Sequence, residues 1–298
     1  MLPPRALRLG DGIARLATGS RKATGAVKPG TADGFVVASY LLHVGRVLVG
    51  TSGFVYPHWR GVLYPPDLPQ RLWLARYAGE FRTLEVNATF YRLPRPEAVD
   101  RWRLETPPGF VFTAKGSRFI THMKRLLGEG TQLARYFEPV GRLRDKLAVV
   151  LWQLPPRWRA NPDRLEAFLV SLPRTVRHAF EFRDESWYDE AVCDLLDAHH
   201  AAFCEHDIVR RPPPRVTGGF RYVRFHGTAA PYHGRYGAEA LAPWARDLAR
   251  FSRRGDAFVY FNNDVGGNAV HDARDLIALL ARAKAGARAS PSGTARPR

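Results

Sequence analysis

The hydrophobic pattern of the chain alternates between short apolar runs and longer amphipathic stretches. The apolar runs are rich in aliphatic and aromatic residues, have the length of strands, and end in Gly, Pro or polar residues, as expected of strands buried in a parallel sheet. Eight such strands are predicted, at VLVGTSGF (47–54), TLEVNATFYR (83–92), FVFTAKGS (110–117), LAVVLWQLPP (147–156), HAFEFR (178–183), AAFCEHD (201–207), GFRYVRFHG (219–227) and AFVYFNND (257–264).

Amphipathic patterns with a helical period separate these strands. Strict alternation of strands and helices predicts an α/β fold with a parallel sheet, and eight units within about 240 residues fit a closed (β/α)8 TIM barrel. No glycine-rich phosphate-binding sequence follows any strand, which disfavours a doubly wound nucleotide-binding fold. The proline-rich gap after Asp207 has only a weak helical pattern. The other helices are predicted at about 70–79, from 94 onward, and at about 132–143, 162–171, 189–200, 238–252 and 270–283.

The two ends of the chain differ from the rest in composition. Residues 1–45 are rich in Gly, Ala, Thr and Arg without a sustained period, and we predict a disordered extension. Residues 46–283 are predicted to form the barrel, and residues 284–298 a basic, disordered tail. The formal net charge of +17 is concentrated near the ends, since residues 1–46 and 281–298 each carry a net charge of +5. The charge therefore indicates only weak nucleic-acid binding through the basic tails.

The cysteine content and the hydropathy of the chain predict its cellular compartment. Cys193 and Cys204 lack the spacing of a zinc site and are predicted to be buried thiols of a reduced protein. No apolar run approaches the roughly 20 residues that a membrane span requires, and the N-terminus lacks a secretory signal pattern. We therefore predict a cytoplasmic protein that does not bind membranes.

The segment TLEVNATFYR has one apolar face and one polar face. Read as a single strand, it places Leu84 and Val86 on one side and Glu85, Asn87 and Thr89 on the other. Because a barrel strand is buried on both sides, the polar side is predicted to point into the barrel. There it either lines a functional cavity or belongs to a hydrogen-bonded core network.

Active sites of TIM barrels lie at the carboxyl ends of the strands. Four carboxylates and three basic side chains are predicted at this mouth, and their near balance predicts a network of ion pairs, with Lys115 and Arg183 as the partners of Glu85. Besides Glu85 and Asn87, alternation assigns the following polar residues to the inner face: Ser52, Lys115, Gln153, Glu181, Arg183, Asp207, Arg224, His226, Asn262 and Asp264.

Paired carboxylates at a barrel mouth suit acid/base catalysis on a sugar or an ester. We predict Glu85 and Glu181 as that pair. Lys115, Arg183 or Arg224 would then hold an anionic group such as phosphate. Glu–Arg pairs that only hold the barrel together are the alternative interpretation.

Two loop residues are weaker candidates. His122 follows the third predicted strand and is either a general base or a helix-capping group. Tyr232 lies in the loop after the seventh predicted strand, where an aromatic ring either stacks on a sugar or base or covers the edge of the core.

The sequence predicts no cofactor, and a divalent metal ion is an alternative. Its ligands would be Glu85, Glu181, His226 and Asp264. The near balance of charge disfavours this site, because a dehydrated divalent cation needs an excess of anionic oxygen ligands.

Seven motifs in this chain resemble those of the DUF72 (YecE-like) family of uncharacterised proteins. The resemblance covers about residues 47–283 and implies a TIM barrel, but it supplies no reaction. The motifs are, in order, GTSGFVYPHWRGVLYP, LEVNATFYRLP, FTAKGSRFITH, LWQLPP, EFRDESWY, YVRFHG and YFNND.

The chain departs from the family pattern at Phe54, Ala88, Asp184 and Asp272. The family usually has Trp, Ser, His and Asn at these positions, and the change at Asp184 weighs against a mechanism that needs a histidine there. The residues that match the family motifs at the predicted mouth are Glu85, Asn87, Lys115, Thr121, His122, Gln153, Glu181, Arg183, His226, Asn262 and Asn263.

The leading hypothesis is an enzyme that hydrolyses or isomerises a small polar substrate, sugar-like or phosphorylated, with Glu85, Glu181, Lys115 and His226 as catalytic residues. The alternative is a non-catalytic binding protein, or a metal-dependent nuclease-like protein, that acts on a polyanion such as RNA or DNA. The predicted substrate contacts are Asn87, His122, Gln153, Arg183, Arg224, Tyr232, Asn262, Asn263 and Asp264.

Overall fold

A computed structural model of the chain describes residues 45–127 and 130–289. The predicted extension 1–45, apart from Gly45, lies outside the described residues, as do residues 290–298 of the predicted tail. Among the described residues, no helix is long and apolar enough to cross a membrane.

The described residues contain every strand that the hydrophobic pattern predicts, although some are shorter. The sixth predicted strand is divided into two short strands at Cys204. The backbone N–H of Cys204 still donates to Phe180 O over 2.8 Å, so the two short strands continue in the same direction. The strands are β1 (Val47–Thr51), β2 (Thr83–Val86), β3 (Val111–Lys115), β4 (Leu147–Gln153), β5 (Arg177–Glu181), β6 (Ala202–Phe203), β7 (Glu205–His206), β8 (Arg221–Phe225) and β9 (Ala257–Phe261).

The strands form a closed parallel barrel. Strands β2 to β6 pair in sequence order, and β7, β8, β9 and β1 continue the circle, all in parallel. A parallel bridge between Ser52 and Glu85 joins β1 to β2, and Gly53 N–H donates to Glu85 O over 2.8 Å. The predicted (β/α)8 TIM barrel is therefore confirmed.

Helices cover the outside of the barrel. No α-helix lies between β7 and β8 in the described chain, which agrees with the weak pattern after Asp207. The last helix continues through residue 289, past the predicted boundary at 283. The α-helices are α1 (Trp73–Ala78), α2 (Ala88–Tyr91), α3 (Pro96–Glu105), α4 (Gly130–Val140), α5 (Pro162–Ser171), α6 (Glu190–Ala198), α7 (Gly237–Phe251) and α8 (Asn268–Ala289).

Short helical turns occupy several of the connections. They are 3-10 turns at Pro57–Trp59, Gln70–Leu72, Gly141–Lys146, Glu185–Trp187 and Val265–Gly267, and a π turn at Phe119–Met123.

Polar contacts across the lumen show which side chains point inward. Thr83 Oγ1 lies 2.6 Å from the Tyr260 hydroxyl, and Thr113 Oγ1 lies 2.9 Å from the Tyr222 hydroxyl. Each pair joins strands that are not neighbours, so these side chains meet inside the barrel. Below the mouth, the lumen is therefore filled rather than open.

The prediction that TLEVNATFYR is one strand is wrong beyond Val86. The Thr89 hydroxyl donates to Val86 O at 2.9 Å and to Lys115 O at 2.7 Å, and the chain turns into the short helix α2. A threonine side chain that bonds nearby carbonyls offers the backbone an alternative to a sheet ladder. Asn87 therefore lies in the turn, and Phe90 is carried to the mouth instead of onto the outer face.

Gly116, directly after β3, provides a test of this packing. A Cβ added there would lie 2.2 Å from Cε3 of the buried Trp152. We expect Gly116→Ala to lower the free energy of unfolding by about 1–3 kcal/mol through overpacking. Chemical denaturation measures this change.

Gly141→Ala is the matched control, since an added Cβ at Gly141 meets no atom within 4 Å. Equal stability of the two variants would contradict the tight contact between Gly116 and Trp152.

Candidate functional site

Arg224 of β8 lies at the centre of the barrel mouth and joins two glutamates. Its Nη2 donates to Glu85 Oε1 of β2 over 2.7 Å, and its Nη1 donates to Glu181 Oε2 of β5. All three side chains are fully buried. The Glu85 carboxylate also accepts from Ser52 Oγ at 2.5 Å and from the Tyr222 hydroxyl at 2.6 Å. These bonds pair the buried charges, as a low-dielectric interior requires, and leave Arg224 Nε without a hydrogen-bond partner among the described residues.

Glu181 carries a second arginine contact, since Arg183 Nε donates to its Oε1 over 2.7 Å. Burial opposes ionisation of this carboxyl group, but the charges of Arg224 and Arg183 outweigh it and hold the pKa of Glu181 well below its usual range. Glu181 is therefore a stable anion and a poor proton donor at neutral pH.

The predicted partners of Glu85 are wrong. Arg224 is its ion-pair partner, whereas Arg183 binds Glu181 instead. Both glutamates are closed in ion pairs and have no exposed surface. The geometry thus favours the alternative left open by the sequence, in which they hold the mouth together, over an acid/base pair.

Lys115 differs from every other cation of the mouth. Among the described residues, it forms no salt bridge and its Nζ makes no side-chain hydrogen bond; Nζ instead lies 4.3 Å from the centre of the Phe90 ring. The side chain is 8% exposed. Burial, aided by the nearby charge of Arg224, lowers the pKa of Lys115 to about 7, although Glu181 and Glu85 oppose this effect.

His226 belongs to a chain of polar contacts that fixes its orientation. Its Nδ1 lies 3.0 Å from Asp207 Oδ1, while its Nε2 lies 3.1 Å from Arg224 Nη1. Tyr236 donates its hydroxyl proton to the other oxygen of Asp207. Burial lowers the pKa of His226 to about 4, so the ring is neutral at pH 7, with Nδ1–H donating to Asp207 and Nε2 accepting. This arrangement suits a group that orients its neighbours.

His122 packs against the same aromatic ring as the lysine. Its ring centre is 5.0 Å from that of Phe90, and its Nδ1 is 2.9 Å from Thr121 Oγ1. Burial and the charge of Lys115 lower the pKa of His122 to about 4. His122 is therefore a neutral imidazole next to the lysine.

The remaining predicted contacts divide into mouth residues and scaffold residues. Gln153 and Asn262 are nearly buried at the ends of β4 and β9. Asn263 donates to Gly234 O and to Asp272 Oδ2, each at 2.8 Å, so it fixes the loop that precedes α7. Its buried side chain is a structural element rather than a substrate contact.

Three further predicted residues lie away from the Arg224 network. Asn87 lines a cleft of about 520 Å³ outside the lumen, and its buried Oδ1 has no hydrogen-bond partner among the described residues. Asp264 lies 3.6 Å from His58 Nε2, and burial raises the pKa of its carboxyl group. Tyr232 is 42% exposed on its loop.

The proposed metal ligands are not brought together. Glu85 and Glu181 are engaged by arginines, and Asp264 pairs with His58. Within residues 45–127 and 130–289, no group of three or more His, Cys, Asp or Glu side chains has the geometry to hold a metal ion.

Sequence reasoning missed Tyr222 and Phe90. Tyr222 shares the inner face with Arg224 and His226 in GFRYVRFHG, so the alternation used for the charged residues could have found it. Phe90 could not be found in this way, because a strand that continued past Val86 would have placed it on the outer face.

The fold and the mouth define a TIM-barrel protein with a buried ion-pair network and, at its mouth, a lysine that no described residue pairs with. The family model described as "Protein of unknown function DUF72" matches residues 48–296, and the chain belongs to this family. The resemblance seen in the sequence is thereby confirmed.

Two curated relatives carry names of the same kind. The UPF0759 protein YunF of Bacillus subtilis (strain 168) is 26% identical, and the match covers 73% of this chain and 90% of that protein. The UPF0759 protein YecE of Escherichia coli (strain K12) is 31% identical over a segment that covers 39% of this chain and 43% of that protein.

Solved structures show the same fold. A DUF72 family protein from Thermotoga maritima MSB8 is 30% identical, with a TM-score of 0.70 and coverage of 79% of this chain and 99% of that chain. A DUF72 family protein from Enterococcus faecalis V583 is 19% identical, with a TM-score of 0.69 and coverage of 79% and 95%.

The ion pairs of Arg224 with Glu85 and Glu181 allow a test of whether they hold the mouth together. Arg224→Met leaves two buried carboxylates without their shared counter-ion, and we expect it to lower the free energy of unfolding by about 3–5 kcal/mol. Denaturant titration followed by circular dichroism measures the loss.

The control is Arg142→Met, which breaks the exposed ion pair of Arg142 with Asp100. Exposed pairs contribute little, so this variant should behave like the parent protein. A parent-like stability of Arg224→Met would contradict the scaffold role of the bridge.

Proposed function

We propose that this protein is an enzyme that carries out acid/base chemistry, hydrolysis or isomerisation, on a small anionic substrate that is sugar-like or phosphorylated. Lys115 transfers the proton, in place of the glutamate pair that the sequence suggested. The observation that carries this proposal is a buried lysine, without an ion-pair partner in the described chain, at the carboxyl end of a barrel strand.

The pKa of Lys115 suits this role. A lysine in water has a pKa near 10.4 and is almost entirely protonated at neutral pH. With its pKa lowered to about 7, mainly by burial, Lys115 populates both the ammonium and the free amine at neutral pH. A catalytic acid or base works best when its pKa lies near the working pH.

Arg183 is the proposed anion holder. Its Nε is bonded to Glu181, but the side chain keeps 15% of its surface exposed, and no described residue accepts a hydrogen bond from its Nη1. A planar guanidinium with free donors matches a carboxylate or phosphate. Arg224, fully buried and bonded to two carboxylates, is not free to do this.

The neighbouring histidines support proton transfer without adding charge. Burial keeps the pKa values of His122 and His226 at about 4, so both rings are neutral where the enzyme would work. His226 is held by Asp207, whereas His122 is bonded to the described residues only through its Nδ1. His122 is therefore the proposed proton relay, and His226 the orienting group.

The titration of Lys115 can be measured directly. We expect lysine-selective ¹⁵N NMR to show one side-chain resonance with a pKa of about 7. The chain has only six lysines, so loss of that resonance in Lys115→Arg assigns it. A resonance of Lys115 that titrates above pH 10 would contradict the proposed role.

Substrates can be sought by hydrogen–deuterium exchange of phosphorylated and carboxylated sugars in D₂O and by release of phosphate or sugar. On any substrate found, we expect Lys115→Met to lower kcat by about 100-fold or more, the usual contribution of a general acid or base. Arg183→Met should mainly raise KM, because it removes an anion contact.

Lys124→Met is the matched control, since Lys124 is exposed and its Nζ lies 5.7 Å from the centre of the surface ring of Phe119. Full activity of Lys115→Met on a turned-over substrate would overturn the proposal.

A further inference from the structure

We propose that the amine of Lys115 forms a Schiff base with the aldehyde or ketone group of a small carbonyl compound that carries a carboxylate or phosphate. This inference rests on the proposed function, since it assigns the substrate class of the same mouth. It goes further in making the lysine a nucleophile and not only a carrier of protons.

The surroundings of Nζ leave the amine available for bond formation. In the described part of the chain no carboxylate lies within 4 Å of it, and no side-chain hydrogen bond holds it. The other cations of the mouth are engaged, Arg224 by two glutamates and Arg183 by one. A lysine held in such an ion pair would stay protonated and have no free lone pair, whereas Lys115 forms no ion pair with any described residue.

Phe90 supports the charge that the reaction produces. The ring face lies 4.3 Å from Nζ, a distance at which an aromatic ring attracts a cation. The free amine adds to the carbonyl carbon and gives a carbinolamine, which then loses water. The product is a protonated imine, a cation at the place the ammonium occupied, and Glu181 and Glu85 favour that charge from farther away. The site thus tolerates the neutral amine and stabilises the iminium ion.

His122 is placed to move the protons of these steps. Its ring and Nζ of Lys115 contact the same Phe90 ring. Among the residues that the structure describes, Thr121 bonds Nδ1 of His122 and none bonds Nε2. Addition requires a proton to leave the nitrogen, and dehydration requires a proton to reach the departing oxygen. A neutral imidazole can pass the proton from the nitrogen to the oxygen to give the neutral carbinolamine. One further proton, taken up from solvent water, lets the hydroxyl group leave as water and accounts for the charge of the protonated imine.

Arg183 defines the second group of the substrate. Its unbonded Nη1 and its 15% exposure present a cation beside the lysine. A carbonyl compound with a carboxylate or phosphate close to the carbonyl group can bind both side chains at once. Carboxylate and phosphate share this chemistry, and separate probes distinguish them.

The test is reductive trapping on the full-length protein. The protein is incubated at pH 7.5 with sodium cyanoborohydride and, in separate arms, glyoxylate, pyruvate, dihydroxyacetone phosphate or uncharged dihydroxyacetone. Intact mass and peptide mapping then locate the adduct. Ordinary lysines hold about a thousandth of their amines free at this pH, so we expect labelling of Lys115 to exceed that of any other lysine by about tenfold or more.

Matched variants separate the contributions of Lys115 and Arg183 to the trapping reaction. Lys115→Arg should abolish the adduct, while Lys124→Arg should leave it unchanged. Arg183→Met should reduce trapping of the anionic probe but not that of dihydroxyacetone. Thermal melting of each variant shows that the loss does not come from unfolding, and Lys115→Met repeats the test if Lys115→Arg is unfolded.

The outcomes distinguish this inference from the proposed function. A stable adduct on Lys115 with an anionic probe supports the Schiff base, and the preferred probe identifies the anion. Labelling spread evenly over the lysines, or absent from Lys115, overturns it. If Lys115 still titrates near pH 7 in that case, proton transfer stands without covalent catalysis; if it titrates above pH 10, both proposals fail.

Discussion

The interior of this barrel depends on one arginine that neutralises two buried carboxylates. Arg224 binds Glu85 and Glu181 at once, and these residues come from β2, β5 and β8, which lie on different sides of the lumen. Burying three charges is costly, and only mutual pairing and further hydrogen bonds offset the loss of hydration. These two ion pairs of Arg224 therefore fix the distances across the mouth, and the positions of the neighbouring side chains depend on them.

This pairing divides the cations of the mouth into those held in ion pairs and one that is not. Because Arg224 and Arg183 pair with the carboxylates, Lys115 has no counter-ion in contact among the described residues, and burial governs its ionisation. The same neighbourhood keeps His122 and His226 neutral. A mouth rich in ionisable groups thus contains few that change charge near neutral pH, and Lys115 is the group whose pKa lies there.

The sequence predicted the barrel because its strands are buried on both faces, so long apolar runs and their spacing carry most of the topology. Alternation also placed Arg224 and His226 inside correctly. Alternation failed at Thr89, whose hydroxyl group bonds to two backbone carbonyls. The chain turns there, although the apolar pattern continues unchanged. Nor could alternation pair Glu85 with Arg224, because these residues are 139 positions apart and three cations competed for the contact.

The bridge between Ser52 and Glu85 closes the circle of strands, and the same glutamate anchors the charge network. Closure of the barrel and the charge network of the mouth therefore depend on one side chain. Lys115 owes its lowered pKa mainly to burial in the closed mouth, so that pKa depends on a seam between two strands to which the lysine does not belong.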